Sequence, residues 1–324
     1  MEYDLIIIGG GPAGAAAGVY AARKKLKTLL ITSEFGGQSV VSEDIQNWIG
    51  TVSISGINLA SSFKEHLKAY AGDSVSIKEG EKVVSIKKDP PAGQTGGEKV
   101  SSIKKGGEIF SVSTSGGSYK AKTVLVTAGS GRRKLEVPGA ERLEHKGITY
   151  CASCDGPLFE GQDVAVIGGG NAAFETAAQL LAYTKSVVLL NHSRGFKADP
   201  VTVEKVLKNP RMKALENVDV VEIKGDKMVS SLVYRDNGTG ENHEIQVTGV
   251  FVEIGQIPNT DFVKGLLELD EYNRIKIDPW TQKSSVSGVW AAGDATNVRY
   301  HQNNIAAGDA VRAVEDIYLY LHAK

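Results

Sequence analysis

Residues 3–14 read Tyr-Asp-Leu-Ile-Ile-Ile-Gly-Gly-Gly-Pro-Ala-Gly. A short run of strand-forming residues breaks at once into glycine, and an alanine-rich stretch, Ala15–Arg23, follows with helical character. Strand, Gly-x-Gly-x-x-Gly and helix in that order make a dinucleotide-binding turn. Gly9 permits the tight turn, Gly11 lets backbone approach a pyrophosphate, and Gly14 lets helix and strand pack closely. The helix start, with Pro12 and Ala13, offers free N–H groups and a partial positive charge to phosphate. Lys27–Thr32 supplies the second strand, after which an acid is expected for the ribose; Ser33 and Glu34 share that neighbourhood.

A second unit repeats the pattern. Val164–Ile167 is apolar, Gly168-Gly169-Gly170-Asn171-Ala172-Ala173 follows, and Phe174–Leu181 reads as helix before a strand at Val187–Leu190. Here alanine takes the third glycine position. Two such units imply two dinucleotides, or one in use and one relict, and the length of 324 residues fits two domains at roughly 100–200 residues each.

The chain holds two cysteines, Cys151 and Cys154, separated by Ala152-Ser153 and followed by Asp155. A secreted disulfide framework uses more cysteines, and a metal site wants a second pair or a nearby histidine, so the pair reads as redox-active. Two dinucleotide sites and a dithiol suggest a relay. A nicotinamide gives hydride and a disulfide is reduced through thiolate chemistry, so a flavin belongs between them.

Composition excludes other classes. Lys plus Arg (37) balances Asp plus Glu (38), leaving no field for nucleic acid or an anionic membrane. The uncharged stretch Leu5–Ala22 is rich in glycine and preceded by acids, unlike a secretion signal or a membrane span. A cytoplasmic protein is expected.

Over nearly its whole length the chain resembles low-molecular-weight thioredoxin reductases, and also the C-terminal part of alkyl hydroperoxide reductase flavoproteins. The likeness rests on residues 9–14, Gly36-Gly37-Gln38, Asn47, the segment KGITYCASCDG (146–156), residues 168–173, GVWAAGD (288–294), and Tyr300-His301-Gln302 before a C-terminal helix. The peroxide-linked flavoproteins carry an N-terminal domain with no counterpart in these residues, which favours the first family.

The resemblance implies an α/β fold of two Rossmann-like domains, with the nicotinamide domain (122–248) inserted into an FAD domain made of 1–121 and 249–324. It assigns FAD to Gly9, Gly11, Pro12, Ala13, Gly14, Ser33, Glu34, Gly37, Gln38, Asn47, Val83, Ala128, Gly129, Gly293, Asp294, His301 and Gln302. NADPH or NADH falls to Gly168, Gly170, Asn171, Ala172, His192, Arg194, Lys197 and Gly255. Cys151, Cys154 and Asp155 are the catalytic set, with Cys154 nearer the flavin and Asp155 as general acid; a turn-capping Asp155 is the alternative. The implied partner is thioredoxin or a thioredoxin-like protein, and a homodimer is common in the family. A peroxide-reducing partner, a ferredoxin donor and a non-enzymatic redox sensor are the rival readings.

Three departures from the family stand out. Thr127-Ala128-Gly129 replaces Ala-Thr-Gly, conservatively. The coenzyme loop reads Asn191-His192-Ser193-Arg194-Gly195-Phe196-Lys197, with fewer arginines than a 2′-phosphate site usually holds and a lysine that lacks the bidentate fork. No acid stands at Asn191, so the balance favours NADPH over NADH. Finally, Glu81–Lys88 recurs almost unchanged as Glu98–Lys105, a tandem duplication that lengthens a hairpin region. Because the dithiol must meet both flavin and partner, rotation of the inserted domain is expected about hinges near Ala121–Thr123 and Thr248–Val250.

Overall fold

The computed structural model describes residues 2–42, 44–90 and 108–323. The second copy of the duplicated segment, 98–105, lies outside them. The chain divides into two compact units, residues 1–131 with 257–324, and residues 132–256.

The first unit begins with strand β1 (Glu2–Gly10), helix α1 (Pro12–Arg23) and strand β2 (Thr28–Phe35). Helix α2 (Gly56–Ala71), capped by Ser55, leads to β3 (Val75–Glu79). Strands β4 (Val83–Lys88) and β5 (Phe110–Thr114) pair antiparallel, and β6 (Ser118–Val126) returns to the centre. The first copy of the duplicated segment thus supplies β4.

The chain passes from the first unit to the second along β7 (Ser130–Arg132), and the second unit holds β8 (Ile148–Thr149), then the one-turn helix α3 (Ala152–Asp155). Next come β9 (Asp163–Ile167), α4 (Asn171–Leu180), β10 (Ser186–Asn191), α5 (Pro200–Leu207) and β11 (Met212–Glu216). Strands β12 (Val218–Gly225), β13 (Val229–Asp236) and β14 (Asn242–Gln246) form an antiparallel three-stranded sheet. Strand β15 (Gly249–Val252) completes the parallel order β11-β10-β9-β15-β8. The outgoing connection, β7, pairs with the returning one, β16 (Gln256–Pro258).

Back in the first unit, β17 (Val289–Ala291) pairs parallel with β6, and α6 (Asn303–His322) follows. The sheet order is β3-β2-β1-β6-β5-β4, with β1, β2, β3 and β6 parallel. One face packs α1 and α6 over Leu5, Ile7, Leu30 and Trp290; the other buries Ile6, Ile8, Leu29 and Phe110. Near-continuous burial along β1 and β2 follows from a parallel sheet covered on both sides.

The fold is therefore α/β, with two Rossmann-like units and the second inserted into the first. The expected boundaries at 121/122 and 248/249 need correction. Ala121 and Thr123 are fully buried inside β6, and Gly249 and Val250 lie in β15. A central strand bonded on both edges cannot serve as a linker, so the chain changes unit about ten residues later, beside the β7–β16 pair.

One buried polar contact ties α6 to the turn before β17. Gln282 is wholly buried with left-handed backbone (φ 63°), and its Nε2 donates to Asp309 Oδ1 at 3.5 Å. Among the described residues Gln282 Oε1 and Asp309 Oδ2 have no hydrogen-bond partner. Burial pushes the Asp309 carboxyl above the usual carboxylate range, against the pull of Arg312. With the folded value raised, its contribution to stability is whole below the unfolded carboxylate pKa and is lost as pH rises towards the folded value. Asp309→Asn should therefore raise the melting temperature by about 2–4 °C near pH ~8 and leave it unchanged near pH ~3, which a thermal-melt series over pH will measure.

Candidate active site

In the first unit, the carboxyl ends of β1, β2 and β6 and the start of α1 enclose a cavity of about 760 Å³. Gly9 sits at φ 120° because a Cβ there would lie 2.3 Å from Thr127 O. A Cβ on Gly14 would lie 1.9 Å from Gly9 O, so Gly14 keeps α1 against β1 and does not line the cavity. Gly11 and Gly37 face each other across the opening, and a Cβ on Gly11 would meet only Gly37 Cα, at 3.9 Å. Bare backbone at an uncapped helix start is the requirement for a pyrophosphate.

The remaining expected residues of this unit divide in two. Pro12, Ala13, Ser33, Glu34, Gln38, Val83, Ala128, Gly129, Gly293 and Asp294 line the cavity. Asn47, His301 and Gln302 do not line it, but they are knit to one another and to its wall: Asn47 Nδ2 donates to Gln302 Oε1 (3.1 Å), and His301 Nδ1 lies 3.4 Å from Asp294 Oδ1. Sequence reading missed Lys82, Asn259 and Asn303, which also line it. Lys82 could have been suspected from its neighbour Val83; Asn259 carried no local signal.

In the second unit the turn Gly168–Gly170 leads into α4, whose first residues are Asn171 and Ala172. A Cβ on Gly168 would lie 2.4 Å from Glu253 O, while nothing stands within 4 Å of one on Gly170. Asn171 Oδ1 accepts from Asp199 N, and Gly255 lies just beyond β15 with φ 113°. The loop of residues 191–197 folds over Gly169: Asn191 Nδ2 donates to Ser193 O (2.9 Å) and Gly195 O (2.8 Å). His192 pairs with Asp219, whose other oxygen lies 3.4 Å from Arg235 Nη2. Glu216 accepts from the Gly195 N–H. Arg194 and Lys197 are exposed.

Cys151 and Cys154 are joined as a disulfide with Cα atoms 5.3 Å apart. Cys154 N approaches Cys151 Sγ at 3.2 Å, and Asp155 N donates to Cys151 O at 3.0 Å. The Asp155 carboxyl accepts from Thr149 Oγ1. Burial pushes it above the usual carboxylate range, while Thr149 and the His145 charge pull it back. Among the described residues no cluster of three or more His, Cys, Asp or Glu is placed to hold a metal, and no helix is long and apolar enough to cross a membrane.

Residues 3–310 match the model of the pyridine nucleotide-disulphide oxidoreductase family. The chain belongs to that family. It is 38% identical to the F subunit of alkyl hydroperoxide reductase of Escherichia coli K12 over 98% of its own length and 58% of the relative's. It is 36% identical to a Bacillus subtilis protein named NADH dehydrogenase, over 98% of this chain and 58% of that one. The chain thus spans a little over half the length of these curated relatives. Among solved structures it is similar to thioredoxin reductase from Streptococcus pyogenes, with 32% identity, a TM-score of 0.86 and coverage of 100% and 99% of the two chains.

Membership implies a flavin and a nicotinamide coenzyme, and both sites fit. The first unit offers the glycine-lined groove with Glu34 at the end of β2; the second offers open Gly170 at an uncapped helix start. Gly11→Val places a side chain in the groove without a backbone clash. It should cut bound flavin, read from visible absorbance, by at least about tenfold while circular dichroism stays unchanged. Gly14→Val should instead unfold the first unit.

Proposed function

We propose that the protein is an FAD-dependent reductase that takes hydride from NADH and passes two electrons through the Cys151–Cys154 disulfide to a disulfide on a thioredoxin-like protein. FAD, when bound, supplies the step between a hydride donor and thiol chemistry. The observation that carries the reading is a cysteine pair beside a carboxyl whose pKa burial raises, in the same unit as an open dinucleotide loop. Asp155 is the proton source for the departing thiolate, as a carboxyl with a raised pKa can be near neutral pH.

The choice of NADH over NADPH rests on two carboxylates. Glu216 and Asp219 already hold the Gly195 N–H and the His192 ring, so a 2′-phosphate would meet negative charge where it needs donors. Arg194 and Lys197 remain to oppose them, and both are solvated. A second reading has support in the relatives: a chain 38% identical to the F subunit of alkyl hydroperoxide reductase could serve a thioredoxin-like partner of a peroxide-reducing system.

Anaerobic titration of the flavin-loaded protein tests the proposal. NADH should bleach the flavin, with NADPH at least about tenfold less effective per mole, a discrimination of ~1.4 kcal/mol, and Glu216→Gln should narrow that gap. Cys151→Ser should abolish turnover with a thioredoxin-like disulfide yet leave bleaching intact. If neither coenzyme bleaches the flavin, the nicotinamide assignment falls; if Cys151→Ser still turns over, the dithiol is not on the path.

A further inference from the structure

Thr149 is the last residue of β8, is 6% exposed, and precedes the redox pair by two residues. Its hydroxyl touches two groups. The Cys151 backbone N–H approaches Oγ1 at 3.4 Å, and the Asp155 carboxyl accepts at Oδ2. A backbone N–H can only donate, so it engages a lone pair of the hydroxyl. The hydroxyl hydrogen is donated to Asp155 Oδ2, and with that oxygen accepting, the titrating proton of the carboxyl goes to Oδ1.

From this geometry we infer that Thr149 is a positioning residue for proton transfer at the dithiol: it takes its direction from the Cys151 backbone and fixes which oxygen of Asp155 carries the proton. The inference rests on Asp155 being the acid. During reduction, two electrons, which a bound reduced flavin would supply, would break the S–S bond and leave both sulfurs as thiolates, one of which stays deprotonated. The departing thiolate takes the Asp155 Oδ1 proton and becomes a thiol, leaving a carboxylate still held at Oδ2 by Thr149. Solvent returns the proton.

Other titratable groups stand around this relay. The charged group acting on Asp155 is His145, from the turn before β8, whose Nε2 lies 3.7 Å from Glu144 Oε1. Glu144 is further engaged by Lys134 at 3.3 Å and by the Tyr150 hydroxyl at 3.2 Å. From α4 the uncharged Gln179 meets Ser153, and the Tyr183 ring packs beside Gly156. Once reduced, Cys151 and Cys154 join these titratable groups.

The test compares wild type with Thr149→Val, Thr149→Ser and Asp155→Asn in two measurements. One is the pH dependence of single-turnover disulfide reduction. The other is the thiolate absorbance of the reduced, flavin-free protein as pH is raised. Thr149→Val removes a donor that favours the carboxylate, so the inflection assigned to Asp155 should move to higher pH and the maximal rate should fall about tenfold, less than the roughly 10²–10⁴-fold of an acid lost outright because Asp155 itself remains. The thiolate titration should move with it, and Thr149→Ser should restore both. Profiles for Thr149→Val that superimpose on wild type would overturn the inference, provided circular dichroism shows it folded; if it is not, a Thr149→Ser protein that fails to match wild type does the same. Should Asp155→Asn leave rate and profile unchanged, the acid assignment itself fails, whatever Thr149 does.

Discussion

Both halves of the molecule depend on a glycine that lets the end of one strand touch the end of its neighbour. At Gly9 a Cβ would strike Thr127 O beyond β6, and at Gly168 it would strike Glu253 O beyond β15. In each case the first strand of the unit turns sharply into its helix against the carbonyl of the strand beside it. That contact sets the distance between the two strand ends and hence the width of the groove outside them. A larger residue would need both a positive φ and a carbonyl that gives way, and neither is available in a buried parallel sheet.

The two units then differ in what surrounds the groove. The first surrounds it with residues drawn from both chain ends, from Gly11 and Glu34 to Asp294 and Asn303. The second leaves Gly170 open and ties its coenzyme loop through the buried amide of Asn191. A neutral amide at that position can brace a loop from within, as a carboxylate could not, because Asn191 donates to two carbonyls at once. The negative charge usually expected there is displaced onto Glu216 and Asp219, on the next strands along the chain.

Buried carboxyls mark different tasks. Asp309 is raised by burial in a packing contact between α6 and the turn at Gln282. Asp155 is raised by the same cause, but it lies beside a disulfide and accepts from the Thr149 hydroxyl, which the Cys151 backbone N–H also approaches. Desolvation alone therefore does not distinguish a functional acid from a structural one; the neighbours do.

Sequence by itself determined the two strand–glycine–helix units and the cysteine pair, because each is a local pattern: strand propensity, a short glycine spacing and the reach of two thiols. The strands at residues 3–8 and 164–167 and their helices lie where the pattern put them. The unit boundaries were not legible, since residues 121–123 look like any other short apolar segment until β6 is seen paired on both edges. Likewise the partners of His192 and Gly195 come from 27 and 21 residues downstream, so a loop that reads as basic carries acid beside it. Only tertiary structure decided that, because charge in a site is summed over space and not along the chain.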